Sequence, residues 1–165
     1  MSDREEVMNQ NSADWAEICQ LKSAYGWHYD TPDFEALIDL FTDDAVCVFG
    51  AYGTWNGKDE IRAGFAENVG APDNPFPSLH TFVNPMIRID GDEATGKWYL
   101  LDFVLSGGAD EPVLRVMGVY DERYRREDGR WKIAHTHLTF LWNSDVGRIR
   151  PGEERKLEWH ADGAT

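Results

Sequence analysis

The sequence predicts an α+β fold built as one domain, and three observations carry that reading. Over roughly the first seventy residues, apolar side chains recur at three- and four-residue spacings, the period of amphipathic helices. From Ser78 onward, four long segments rich in β-branched and aromatic residues follow one another, separated by short turns. Helices first and hairpin-linked strands afterwards is the α+β order, here with an antiparallel sheet. At 165 residues the chain supplies one substantial core and is short for two.

Each element has its own warrant. Residues 1–11 are polar and read as a flexible N-terminus. Ser12 can cap a helix of about 16 residues whose first turn carries Asp14 and Glu17, favourable at the positive end of the dipole. Trp15, Ile18, Cys19, Leu21, Tyr25 and Tyr29 mark its apolar face. Thr31-Pro32 restarts the chain as cap and first residue of a second helix, with Phe34, Leu37, Ile38 and Phe41 at i, i+3, i+4 and i+7. Residues 42–44 read as a turn, 45–49 as a short strand and 50–57 as a loop. Residues 59–69 form a third helix on Ile61, Phe65 and Val69. The segment 70–77 holds three prolines, reads as irregular, and is the candidate flap over a pocket. Strands follow at 79–89, 94–105, 113–125 and 131–142, with turns at 90–92, 107–112 and 127–129. Strands this long predict a bent sheet with the helices on its concave side. The domain spans 12–147, and 148–165 is a charged tail in which Leu157 and Trp159 can dock.

Composition narrows the function. A net charge of -14 argues against nucleic acid and anionic membrane as partners, since both repel such a surface. The aromatic fraction of 13% fits a dense core or an aromatic-lined pocket. Cys19 and Cys47 make no disulfide framework. No run reaches the roughly 18 apolar residues of a membrane span, and the N-terminus lacks the order of a signal peptide, so a cytoplasmic protein is expected. No glycine-rich phosphate loop, nucleophile elbow or dinucleotide fingerprint is present, and no cofactor is expected.

The run Tyr25-Gly-Trp-His-Tyr-Asp30 places an aspartate beside two tyrosines near a helix end. A lone His80 begins a strand about fifty residues later, and folded against Asp30 it becomes a supported general base. An ordinary histidine titrates near 6.5, close to working pH, and a neighbouring carboxylate fixes its tautomer and stabilises the imidazolium. The plainer readings are that Asp30 caps a turn and that His80 is a hydrogen-bonded strand-edge residue.

Further residues extend the pattern: Leu-Phe-Thr-Asp-Asp-Ala at 40–45, Gly-Lys-Asp-Glu-Ile at 57–61, and His80 with Asn84. Gly-Asp-Glu-Ala at 91–94, Gly-Val-Tyr-Asp at 118–121 and Gly-Arg-Trp-Lys-Ile-Ala-His at 129–135 complete it. In this order over 12–142, the chain resembles the SnoaL-like family of the nuclear transport factor 2-like superfamily. The resemblance implies a cone-shaped fold, a curved antiparallel sheet with three N-terminal helices enclosing a pocket, in a homodimer or homotrimer. It also implies cofactor-free proton transfer on a hydrophobic ring-bearing small molecule, as in scytalone dehydratase, bile-acid dehydratase, dehydrochlorinase and lignin-dimer lyase relatives. Asp30 and His80 fall on the positions of the family's catalytic pair, and Tyr25 is the preferred donor to a substrate oxygen. Some relatives carry an arginine one residue after the position of His135. Thr136 stands there in this chain, so the resemblance supplies no cation at that point.

Tyr29, Phe49, Phe82, Met117, Val119, Thr136 and Phe140 are the expected substrate-contacting residues. Asp102 reads as solvent-facing. Buried, its pKa would rise, and it would resemble the protonated carboxylic acid of ketosteroid isomerase. His135 and His137 share a strand face but lack a third ligand in sequence, and no metal is expected. His28 reads as surface. The expected activity is therefore a lyase of dehydratase type working through a His-Asp pair. The alternatives are an isomerase, a C–C lyase, or a non-catalytic ligand-binding or dimerisation domain.

Overall fold

A computed structural model of the chain describes residues 3–31, 33–68, 70–71, 74–75, 78–104, 114–144, 146–150 and 152. Pro32, the 107–112 turn, Leu157 and Trp159 lie outside the described residues.

Helix α1 runs Asp3–Asp30, so residues 3–11 are helical and Ser12 lies inside the helix rather than at its cap. Ile18, Leu21, Lys22 and Tyr25 form its buried face, and the lysine among them breaks the apolar pattern. Thr31 does not cap the next helix. Its hydroxyl donates to the Trp27 carbonyl at 2.7 Å and closes α1. Helix α2 (Phe34–Asp39) is capped by Asp33, whose carboxylate accepts from the Ala36 N–H at 3.2 Å.

Strand β1 (Phe41–Val48) takes in Phe41 and the expected turn at 42–44. The turn chemistry is expressed as a bulge instead, because the register slips between Phe41 and Val46, and the Thr42 hydroxyl bonds Asp44 at 2.9 Å. A 3-10 turn (Gly50–Tyr52) and β2 (Thr54–Asn56) lead into α3 (Gly57–Asn68), which buries Ile61 and Phe65. Strands β3 (Gly70–Ala71) and β4 (Asn74–Pro75) pair antiparallel, so the expected irregular segment contains a small hairpin. The long strands are β5 (Ser78–Asp90), β6 (Glu93–Val104), β7 (Leu114–Glu127) and β8 (Arg130–Asn143). A two-residue β9 (Gly147–Arg148) pairs back on β8.

The sheet order is β2-β1-β8-β7-β6-β5. Strands β5 to β8 form an antiparallel meander, but β1 lies parallel to β8, so the sheet is mixed rather than antiparallel. The two strands are separated by the whole meander, and no hairpin dictates their relative direction. Register slips between Val83 and Met86, between Asp102 and Phe103, and at two places along β7 bend the long strands. The first slip contains Asn84 at φ 54° and Pro85, a residue with no N–H for the ladder. Trp98, Leu100, Val116, Tyr120, Tyr124, Ile133 and Leu138 face inward and meet α1 and α3 in one core. No described helix is long and apolar enough to cross a membrane.

Candidate functional site

The helices and the inner sheet face leave a cavity of about 650 Å³, counting the open space at its mouth. Its walls are aromatic and aliphatic, with His80 and Asp102 at one side. That is the usual character of a small-molecule site, a greasy enclosure with few polar groups.

Asp30 is the last residue of α1, and β5 begins beside it. Its Oδ1 accepts from the Ser78 hydroxyl at 2.9 Å and meets His80 Nδ1 at 2.7 Å, while Oδ2 accepts from the His80 backbone N–H at 2.8 Å. Gly26 makes this approach possible. A Cβ there would lie 2.8 Å from the Phe82 ring and 3.5 Å from His80 Cβ, so a side chain would push β5 off the helix. Beside a carboxylate, which accepts, Nδ1 is the donor, and in the neutral imidazole this leaves the lone pair on Nε2. The Tyr29 ring, 4.3 Å centroid to centroid, holds the imidazole plane from the side. The carboxylate thus fixes both tautomer and orientation of a base that lines the cavity.

Tyr25 and Tyr120 bring their hydroxyls within 3.5 Å of each other in the cavity wall. Burial pushes both phenols well above the ordinary value of 10.0; Tyr120 raises Tyr25 further, whereas the hydrogen bond with Tyr25 works against the rise at Tyr120 and the Glu122 charge adds to it. Tyr29 is also raised, first by burial and then by the charge of Asp102. All three are neutral hydroxyl donors across ordinary pH.

Asp102 corrects the solvent-facing expectation. It shares the inner face of β6 with Trp98, Leu100 and Val104, and all four are buried. In the ladder it stands opposite His80, with Oδ1 at 3.8 Å from His80 Nδ1. Its side chain is only 9% exposed. Burial raises its pKa above 3.8, the His80 charge lowers it and the Asp30 charge raises it further.

Beneath the cavity lies an ion pair that sequence reasoning missed. Lys22 Nζ meets Glu122 Oε1 at 2.7 Å, and both side chains are fully buried. Glu122 also accepts from the Thr136 hydroxyl at 2.9 Å and from the Tyr124 hydroxyl, which in turn accepts from Trp98 Nε1 at 2.8 Å. The ammonium sits 3.5 Å from the Tyr120 ring centroid, 4.2 Å from that of Phe82 and 4.5 Å from that of Tyr25. Its charge is therefore shared between one carboxylate and three aromatic faces.

Tyr25, Tyr29, His80, Phe49 and Phe140 line the cavity, and Asp30 supports it from behind. Phe82 does not line it; its ring packs against those of Tyr25 and Tyr120. Thr136 is buried against Glu122 rather than at the cavity. Met117 and Val119 belong to the opposite face of β7, because Val116, Gly118 and Tyr120 take the inward positions of the alternation. They do not line the cavity. Tyr52, Trp55, Phe65, Leu100, Val116, Tyr120 and Leu138 do. For Leu100 and Tyr120, the period-two alternation with Trp98 and Tyr124 was the available signal. His28 is half-buried, and among the described residues no group of three His, Cys, Asp or Glu could hold a metal.

A family model for the SnoaL-like domain matches residues 10–137. The chain belongs to the SnoaL-like family. An uncharacterised Mycobacterium tuberculosis protein is 28% identical over 133 residues, covering 79% of this chain and 88% of its own length. A candidate scytalone dehydratase from Novosphingobium aromaticivorans superposes with a TM-score of 0.73 at 19% identity, covering 90% of this chain and 99% of its own. An NTF2-like protein of Pseudomonas putida gives 0.67 at 20% identity, covering 84% and 94%. At these identities the two structures show the fold: NTF2-like, with a curved mixed sheet and few helices.

Proposed function

We propose that this SnoaL-like protein is a cofactor-independent lyase of dehydratase type acting on a hydrophobic, ring-bearing small molecule. The observation that carries the reading is the 2.7 Å contact of His80 Nδ1 with the Asp30 carboxylate at the wall of an apolar cavity. Nε2 removes a proton from a carbon next to an electron-withdrawing group, and the C–H electrons become the new double bond. The β-hydroxyl departs with its bonding pair and takes the proton back from the imidazolium, so water leaves and neutral His80 is restored. Asp30 stabilises the imidazolium between these two transfers. The neutral phenols of Tyr25 and Tyr120 donate to the activating oxygen as charge builds on it, in a site where few waters compete. The fold-level likeness to a candidate scytalone dehydratase supports the same direction.

The test is a turnover screen with bicyclic β-hydroxy carbonyl compounds. His80→Ala should lower kcat by about 10²- to 10⁴-fold while leaving affinity nearly unchanged, because proton abstraction belongs to the transition state. Asp30→Asn should cost less, since it disturbs the tautomer but leaves the imidazole. Wild-type kcat in folded His80→Ala would overturn the reading.

A further inference from the structure

Ser78 opens β5 and is buried, with 6% of its surface exposed. It stands two residues before His80, so the alternation of the strand sends both side chains to one face. The end of α1 lies against them, and the Asp30 carboxylate there receives the Ser78 hydroxyl, the His80 backbone N–H and His80 Nδ1. Ser78 and the imidazole share one oxygen, Oδ1, and Ser78 Oγ lies 3.4 Å from Nδ1. The imidazole has a second carboxyl group nearby. Asp102 stands opposite His80 in the ladder, its Oδ1 3.8 Å from Nδ1, and that oxygen has no hydrogen-bond partner among the described residues. One ring N–H therefore lies between two acceptors, and a buried acceptor left unpaired gains by capturing it. The backbone bond to Oδ2 holds only one oxygen of Asp30 and leaves the other free to turn.

We propose that Ser78 is a positioning residue that commits the His80 imidazole to Asp30 and away from Asp102. Its hydroxyl donates to the same oxygen that receives Nδ1, so that oxygen is held in place from a second side. A hydrogen bond to an ionised group is one of the stronger kinds, and this one is shielded from water. With Nδ1 on Asp30, Nε2 keeps one direction at the cavity wall. With Nδ1 drawn to Asp102, the ring turns and Nε2 turns with it. A displacement of about 1 Å at a reacting group costs about 10²-fold in rate. Ser78 does not line the cavity, so it acts through Asp30 and not on the substrate.

The inference rests on His80 being the base, but nitrogen-15 NMR of the histidine rings reads it without a substrate. In the neutral ring of the wild type, the proton should sit on Nδ1 and exchange slowly with water. Ser78→Ala should speed that exchange about tenfold, the effect of losing one hydrogen bond to a charged group. Ser78→Cys, close in size but a weak donor, should do the same and serves if the alanine variant folds poorly. In an Asp102→Leu background, where no second acceptor competes, Ser78→Ala should change the exchange less than about threefold. A serine with a merely structural role would not show that coupling. On a bicyclic β-hydroxy ketone, Ser78→Ala should lower kcat about 10- to 100-fold and leave KM nearly unchanged. Wild-type exchange in the folded serine variants overturns the positioning role and leaves the His80 mechanism standing. An equal effect with and without Asp102 overturns the competition between the two carboxyl groups, and the proposal with it. A wild-type ring protonated on Nε2 overturns both the proposal and the reading of His80 as the base.

Discussion

Lys22→Met tests the buried ion pair beneath the cavity. Both partners are inaccessible to solvent, so the substitution leaves Glu122 charged in the interior with only its hydroxyl donors, Thr136 and Tyr124. Removing one member of such a pair costs about 3–5 kcal/mol, largely the penalty of the stranded charge. The three ring faces around Nζ would be partly filled by the methionine, whose thioether packs well on aromatics, and this keeps the loss from growing further. For a chain of this length each kcal/mol moves Tm by about 2–4 °C, so the expected fall is roughly 6–20 °C. Lys22→Met combined with Glu122→Gln removes both charges and should recover most of it, since an amide still accepts from Thr136. Urea unfolding of the two proteins, followed by tryptophan fluorescence, gives the free energies directly. A loss below about 1 kcal/mol in the single variant, or no recovery in the double, would refute the reasoning.

Two other predictions are simpler. Gly64→Ala brings a Cβ within 2.2 Å of the Trp55 ring, which lines the cavity, so it should destabilise by about 1–3 kcal/mol and weaken binding of ring compounds. Equal stability and equal affinity for ring compounds would contradict the close packing of α3 on Trp55. Asp14 is covered by Arg126, Trp131 and Gln10, and although burial works against its charge, those hydrogen bonds and the Arg126 charge hold its pKa below the usual 3.8. A depressed carboxylate contributes stability that is fully present above the unfolded value and is lost as pH falls through the folded one. The stability gap between wild type and Asp14→Asn should therefore be full near pH 6 and shrink below about pH 4. A gap that stays constant down to pH 2 would deny the shift.

Much of the fold could be read from periodicity. Ile18, Leu21 and Tyr25 mark the inner stripe of α1, and the alternation through Trp98, Leu100 and Val104 marks the inner face of β6. Reading failed where one local pattern had two structural solutions. Met117 and Val119 look like wall residues because β7 carries apolar side chains on both faces, and only the register of the folded sheet chooses between them. Thr42 to Asp44 have turn composition, yet the backbone uses them as a bulge. Lys22 and Glu122 are each ordinary surface residue types, and their partnership across 100 positions exists only in three dimensions. Asp102 was ambiguous for the same reason: a carboxylate on an alternating strand belongs to whichever face the sheet turns inward.

The parallel pairing of β1 with β8 also bears on how the molecule comes into being. As the ribosome releases the chain from its N-terminus, β1 has β2 as a neighbour early, but its other edge waits for nearly the last strand to be made. Until then its backbone groups on that side face water or whatever else is near, and the cavity lacks the wall that Leu138 and Phe140 supply. Contacts this distant in sequence form late and slowly. A nascent chain stalled before β8 would present an open, aromatic-lined half-cup, a natural client for a chaperone.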